Sequence, residues 1–252
     1  VALIFSAGFL LNILQNKNQT INQLEQEKEQ ILIELDDALK IKSQKQKKSV
    51  KKRTKKVKYQ GTIGLVIDDF GYRNDTVSDG FLELGVAITC AIIPGHEQSR
   101  KFAQKAIVAG QEVIIHMPME SNVKNRGEEE YKIKTGMTAE EIEWRMGEVL
   151  KDIPEAVGMN NHQGSKATTD GKVMSVVGSV LKRHGKYFVD SRTSSTTVGE
   201  KTMQSLGVPT ARRHIFLDND SDVKQISAQL DKLVKLAKKQ GTALGIGHAK
   251  PN

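Results

Sequence analysis

The chain has 252 residues, 38% of them apolar and 5% aromatic, and a formal net charge of +8. That is ordinary globular composition, and with Cys90 as the only cysteine it excludes a disulfide framework and a Cys-based metal centre. The charge is unevenly spread: residues 40–58 hold ten lysines and one arginine with no acid, leaving 27 basic against 30 acidic residues elsewhere.

In chain order, residues 1–14 are apolar except for Ser6 and Asn12. A membrane helix needs about 20 apolar residues, and the chain starts without Met, so this segment is expected to continue upstream. Residues 1–16 read as a truncated single-pass anchor or a signal-peptide core; the anchor is preferred because no small-residue cleavage site follows. A buried helix of the body is the third reading. Within residues 17–39, Ile21, Leu24, Ile31, Leu35 and Ala38 follow a 3-4 spacing broken by Lys28. The pattern predicts a short coiled-coil stalk or an amphipathic helix, with self-association as an option. Residues 40–58 read as a solvated linker suited to anionic lipid or an acidic wall polymer. No aromatic residue is interleaved with these lysines, so specific nucleic-acid recognition is not expected.

The body spans residues 59–252. Apolar runs at 62–67, 86–93, 112–116, 156–159, 187–189, 215–217 and 242–246 predict seven strands. Helical patterns at 99–109, 138–150, 172–184 and 223–239 lie between them, the second opened by a capping box of Thr138 and Glu141. Glycines 85, 110, 185, 207 and 241 fall at helix-to-strand junctions, and Cys90 reads as a buried small hydrophobe. The alternation predicts an α/β fold: an irregular seven-stranded (β/α) barrel preceded by an N-terminal helix, with an open doubly wound sheet as the alternative.

Strand ends gather on one rim of such a fold, so the residues found there are candidates for a shared site. Asp68 and Asp69 follow the first run. Successive strand residues point to opposite sides, so the two carboxylates suit different jobs, one binding a metal and the other accepting a proton. A helix N-cap beside a solvated acid is the plainer reading. His116 ends the third run, His162 lies just past the fourth and His248 just past the seventh. Zn²⁺ takes imidazole and carboxylate ligands, with three protein ligands in catalytic sites, and Asp69, His116 and His162 supply that set. His96, His184 and His214 read as structural.

The segments LVIDDFGY, EVIIHMPME, VGMNNHQGSKAT, YFVDSRT, FLDND and GIGHAKP, in this order, resemble the divergent polysaccharide deacetylase family, relatives of the chitooligosaccharide deacetylase-type carbohydrate esterases. The resemblance covers residues 61–251. It implies a deacetylase-type barrel and metal-dependent removal of N- or O-acetyl groups from a cell-envelope or extracellular glycan. It maps a catalytic base onto Asp68, a metal ligand onto Asp69 and a general acid onto His248. Arg192, in the DSRT segment, is expected to pair with Asp68 or Asp190, and Asn161, Ser165, Asp190 and Asp218 are candidate substrate-binding residues. The better-known relatives carry two metal-binding histidines four residues apart, whereas here His116 is followed at that distance by Glu120. The third ligand is then His162 or Glu120 itself. The family usually continues past the GIGHAKP-like segment, so the chain is expected to be truncated there too.

The expected function is a metal-dependent carbohydrate deacetylase, with Zn²⁺ the favoured metal. A catalytically inactive glycan-binding or scaffold protein on the same fold is the alternative, and an anionic-polymer binder working through the linker is a third class. The expected location is the cell envelope, membrane-anchored or secreted, with the body outside the cytoplasm.

Overall fold

A computed structural model describes residues 60–123 and 127–250, together with Lys28. The expected anchor (1–16), stalk (17–39) and linker (40–58) lie outside the described residues, Lys28 excepted. Among the described residues, no helix is long and apolar enough to cross a membrane.

Strands and helices alternate from the start of the body: β1 (Thr62–Phe70), α1 (Thr76–Leu82), β2 (Thr89–Ile92), α2 (Ser99–Val108), β3 (Glu112–Met119), α3 (Ala139–Asp152), β4 (Gly158–Gln163) and α4 (Gly171–Arg183). There follow β5 (Tyr187–Asp190), α5 (Gly199–Leu206), β6 (Thr210–Arg212), β7 (Ile215–Phe216), α6 (Val223–Gln240) and β8 (Thr242–His248). Thr138 and Glu141 form the expected capping box on α3. Gly207 closes α5 in the left-handed conformation, and the other four junction glycines also have positive φ.

The strands form one parallel sheet in the order β6-β5-β4-β3-β2-β1-β8-β7. Its edge strands, β6 and β7, are separated in the chain only by Arg213 and His214. Three residue steps reach at most about 11 Å, so the edges must meet and the sheet curls into a barrel. The seam is crossed between neighbouring residues: the Arg213 N–H donates to the Asp190 carbonyl of β5, and the His214 N–H to the Leu244 carbonyl of β8. There are eight strands where the apolar runs predict seven. The extra one, β6, is Thr-Ala-Arg, with no apolar run to announce it.

Side-chain alternation divides the apolar residues in two. Val66, Ala91, Ile114, Val189 and Ile246 point inward and fill the barrel. Ile67, Cys90, Ile92, Val113, Ile115 and Phe188 point outward and pack beneath the helices in the larger cluster. There Phe70 stacks on Phe102 with centroids 4.3 Å apart and meets Phe81 edge-on at 5.7 Å. Fully burying a side chain of this size contributes roughly 1.5–3 kcal/mol, so these contacts tie α1 and α2 to the strand that carries the carboxylates.

Candidate metal centre

Two residues beyond the inward apolar layer, the same alternation turns polar groups into the barrel. Val66 is followed by Asp68, Ile114 by His116 and Ile246 by His248, while Asn160 and His162 take the inward positions of β4. The register places Asp68 beside His248 and His116 beside Asn160. Both histidines expected at strand ends lie inside strands: β3 runs on to Met119 and β4 to Gln163, with Met119 paired to Gln163. Asn-Asn-His-Gln carries no apolar signal, so the expected β4 stopped short of its functional half.

Alternation alone would send Asp69 to the outside, and the structure corrects that expectation. Between Ile67 and Phe70 β1 advances three residues while β2 advances two, from Cys90 to Ile92. This is a β-bulge, which inserts one unpaired residue and re-aims its side chain. Asp69 takes the left-handed backbone, φ 67°, at a cost of about 1–2 kcal/mol for a residue with a Cβ, and Asp is among the residues that tolerate it. Both carboxylates therefore face the same site.

Asp69 Oδ1 stands 3.4 Å from His116 Nε2 and 3.2 Å from His162 Nδ1, and the two nitrogens are 3.0 Å apart. Ligands bonded to one ion at about 2.0–2.1 Å with tetrahedral angles stand about 3.3 Å from one another, so the set has the dimensions of three corners of a zinc tetrahedron. Asp69 Oδ1 is buried and accepts no hydrogen bond. Asn160 explains the orientation of His116. Its amide N–H donates to Asp68 Oδ1 at 2.7 Å, which turns its oxygen to His116 Nδ1 at 2.7 Å. Nδ1 then carries the ring proton and Nε2 presents a lone pair to Asp69 Oδ1. A buried carboxylate oxygen and an imidazole lone pair facing one point, with His162 Nδ1 3.0 Å from that imidazole nitrogen, are the ligand types a divalent cation takes, and the residues fit one. His162 completes the set with Gln163 beside its Nε2 at 3.2 Å. Glu120, the other candidate third ligand, instead holds Thr135 through Oε2 and Lys166 through Oε1.

The two carboxylates are driven apart electrostatically. Burial raises Asp68 above its ordinary value and outweighs the pull of His116, Asn160 and His248. Burial also opposes ionisation of Asp69, but the two histidines overcome it and hold the carboxyl far below the usual range. Neighbouring acids with opposed shifts are the pattern of a proton acceptor beside an ionised ligand. Across the barrel His248 Nδ1 lies 2.9 Å from Asp218 Oδ1, and the His248 N–H donates to Asp218 Oδ2 at 3.0 Å. Burial lowers the His248 pKa, but Asp218, Asp69 and Asp68 together raise it.

The remaining candidates have structural partners. Asn161 is buried, donating to the Gln163 carbonyl and accepting from the Ser191 N–H. Asp190 is fully buried and accepts from the N–H groups of Arg192 and Glu200 and from the Thr197 hydroxyl, anchoring the start of α5. Ser165 accepts from the Asn122 N–H and holds the loop after β3. Asp218 positions His248 and pairs with Lys250 at 3.2 Å. The Arg192 guanidinium pairs with neither Asp68 nor Asp190 among the described residues, a departure from expectation; only its backbone N–H reaches Asp190. The guanidinium in the field of Asp68 is that of Arg213, which is partly buried, donates to the Ser191 and Arg192 carbonyls and lies 4.7 Å over the Phe216 ring. Sequence reasoning missed Arg213, because nothing marked the seam that turns it inward. It also missed Asn160, although its place two residues before His162 puts both on one face.

Comparisons with known proteins bear on the family and the fold. The family model described as divergent polysaccharide deacetylase matches residues 65–252. The uncharacterized protein YibQ of Escherichia coli (strain K12) is 35% identical over 191 residues, which are 76% of this chain and 59% of that protein. An uncharacterized protein of Haemophilus influenzae is 35% identical over 195 residues, 77% of this chain and 68% of that one. The chain thus spans about three fifths to two thirds of the length of these relatives. Among solved structures, the uncharacterized protein ATU2773 of Agrobacterium tumefaciens C58 matches with a TM-score of 0.69 at 20% identity, covering 77% of this chain and 79% of that one. That likeness concerns the fold.

Proposed function

The chain belongs to the divergent polysaccharide deacetylase family, and from that premise we propose that its body is a metal-dependent carbohydrate deacetylase acting on an acetylated glycan of the cell envelope or extracellular space. The observation that carries the reading is the convergence of Asp69, His116 and His162, with mutual distances of 3.0–3.4 Å, beside the buried Asp68. Asp69 supplies the anionic oxygen and the two imidazoles the nitrogens for a divalent cation, Zn²⁺ by the chemistry of the donors. Such an ion supplies Lewis acidity, making water acidic enough to deprotonate near neutral pH and polarising a carbonyl.

Asp68 is the general base. Its raised pKa brings a carboxylate closer to neutrality, where proton acceptance is most effective, and Asn160 fixes the direction of its oxygens. As water adds to the acetyl carbonyl, Asp68 takes the water's proton. His248 stands opposite, held at Nδ1 by Asp218, and donates the proton that lets the sugar amine or hydroxyl leave as acetate separates. Arg213 keeps a fixed positive charge near Asp68 without bonding to it. The apolar run of residues 1–14 and the lysines of residues 40–58 support a body tethered at the envelope, within reach of such a glycan.

The test is acetate release from an N-acetylglucosamine tetramer, with the chain stripped by a chelator and then reloaded with Zn²⁺. The expected result is activity lost on stripping and restored by one equivalent. Full activity in the stripped chain contradicts the proposal.

A further inference from the structure

Past the metal-binding histidines, β3 and β4 continue into the walls of a second cleft of about 550 Å³, whose charged lining is Lys132, Lys134 and Lys166 with Glu120 and Glu129. Among the described residues, three ammonium groups face two carboxylates, an excess of one positive charge. Lys132 is buried, its side chain only 5% exposed, and meets Glu129 Oε1 at 2.7 Å, while Lys134 meets Oε2 at 2.6 Å. A buried ammonium requires an anion beside it, and here the anion comes from a side chain that is itself 54% exposed. The cradle is therefore proportioned to a carboxylate, and Glu129, held ionised with its pKa lowered to about 2 by the two lysines, occupies it from the solvent side. On the opposite wall Lys166 reaches Glu120 Oε1 at 2.7 Å with its own side chain 46% exposed.

We infer that this cleft is a subsite for a carboxylate-bearing sugar, so that the glycan acted on is acidic, not neutral; the inference rests on the deacetylase reading. Glu120 lies four residues beyond His116 and Lys166 four beyond His162, at most about 14 Å of extended chain, a distance an oligosaccharide bridges. Solvent-exposed ion pairs contribute little net stability. Lys134 and Lys166 can thus exchange their present carboxylates for one on the ligand at small cost, while buried Lys132 keeps the place fixed. A neutral sugar offers these ammonium groups hydroxyl and carbonyl oxygens but no anionic partner.

The experiment is calorimetric titration of the full chain with two tetrasaccharides of equal length, one of N-acetylglucosamine alone and one alternating N-acetylglucosamine with glucuronate. The acidic tetramer is expected to bind about tenfold more tightly at low salt, the size of one charge-assisted contact, with the advantage shrinking as salt is raised. In a Lys134→Gln/Lys166→Gln variant that melts as the wild type does, the ratio of the two affinities falls to near one. Glu129→Gln, which removes the internal competitor, increases the ratio. Equal affinities in the wild type, or a preference that survives the double substitution, overturns the inference. Acetate release measured alongside separates the two claims: a preference without turnover sinks the deacetylase reading and leaves the subsite, whereas turnover with a ratio of one sinks the subsite alone.

Discussion

Two layers of the barrel interior, two residues apart along the same strands, are built from opposite chemistry. The inner layer of Val66, Ala91, Ile114, Val189 and Ile246 is wholly apolar and almost wholly dry. The layer above it, Asp68, His116, Asn160 and His248, is wholly polar, and three of its four residues are buried. Burying such groups is tolerated only when each finds a partner, and here the partners are one another and Asp218. The lower layer contributes stability through area removed from water; the upper one consumes it to hold groups in position. Substitutions should therefore separate the layers, those below lowering stability and those above changing chemistry.

The largest expected effect is in the upper layer. Asp68→Asn should keep the metal and reduce acetate release by roughly 10²–10⁴-fold, the usual worth of a general base, with metal analysis and turnover read on one preparation. Metal loss with the same substitution would erase the distinction between Asp68 and Asp69. Below, Ile114→Ala should cost about 2–5 kcal/mol in urea unfolding, while the folded variant still binds one equivalent of metal. Asn160→Leu lies between the two kinds: it unpins His116 and Asp68 together and should weaken metal affinity about 10–100-fold, as loss of a residue orienting a ligand does. A competition titration with a chromophoric chelator measures it.

The smallest effect is a pH shift across the barrel. His248 is raised above its ordinary 6.5, so its stabilising interaction with Asp218 is fully present below that value and lost as pH rises through the raised one. Asp218 is lowered from its ordinary 3.8, burial opposing and His248 and Lys250 prevailing, so its share is present above that value and lost as pH falls through the lowered one. Asp218→Asn should move the alkaline limb of the pH–rate profile to lower pH. An unmoved limb would mean that the protonated form of His248 is not what the reaction uses.

The sequence disclosed more of the lower layer than of the upper one, and the reason is physical. Apolar runs mark strands that are buried on both faces, so β1, β3 and β8 announced themselves, and with them the neighbourhood of Asp68, His116 and His248. The second half of β4 and all of β6 did not, because Asn-Asn-His-Gln and Thr-Ala-Arg owe their pairing to neighbouring strands and not to their own hydrophobicity. The strict alternation of a strand argued that Asp68 and Asp69 diverge, and a one-residue bulge brings them together. Such a bulge depends on the partner strand's register, which no local pattern records. Arg213 was hidden for a related reason: its position follows from closure of the barrel, a property of the whole sheet.

The most direct test is the metal content of the wild type beside His116→Ala and His162→Ala after dialysis against buffered Zn²⁺. One equivalent is expected in the wild type and none in either variant, with all three chains folded. Equal loading in all three would contradict the claim that Asp69, His116 and His162 hold a common ion.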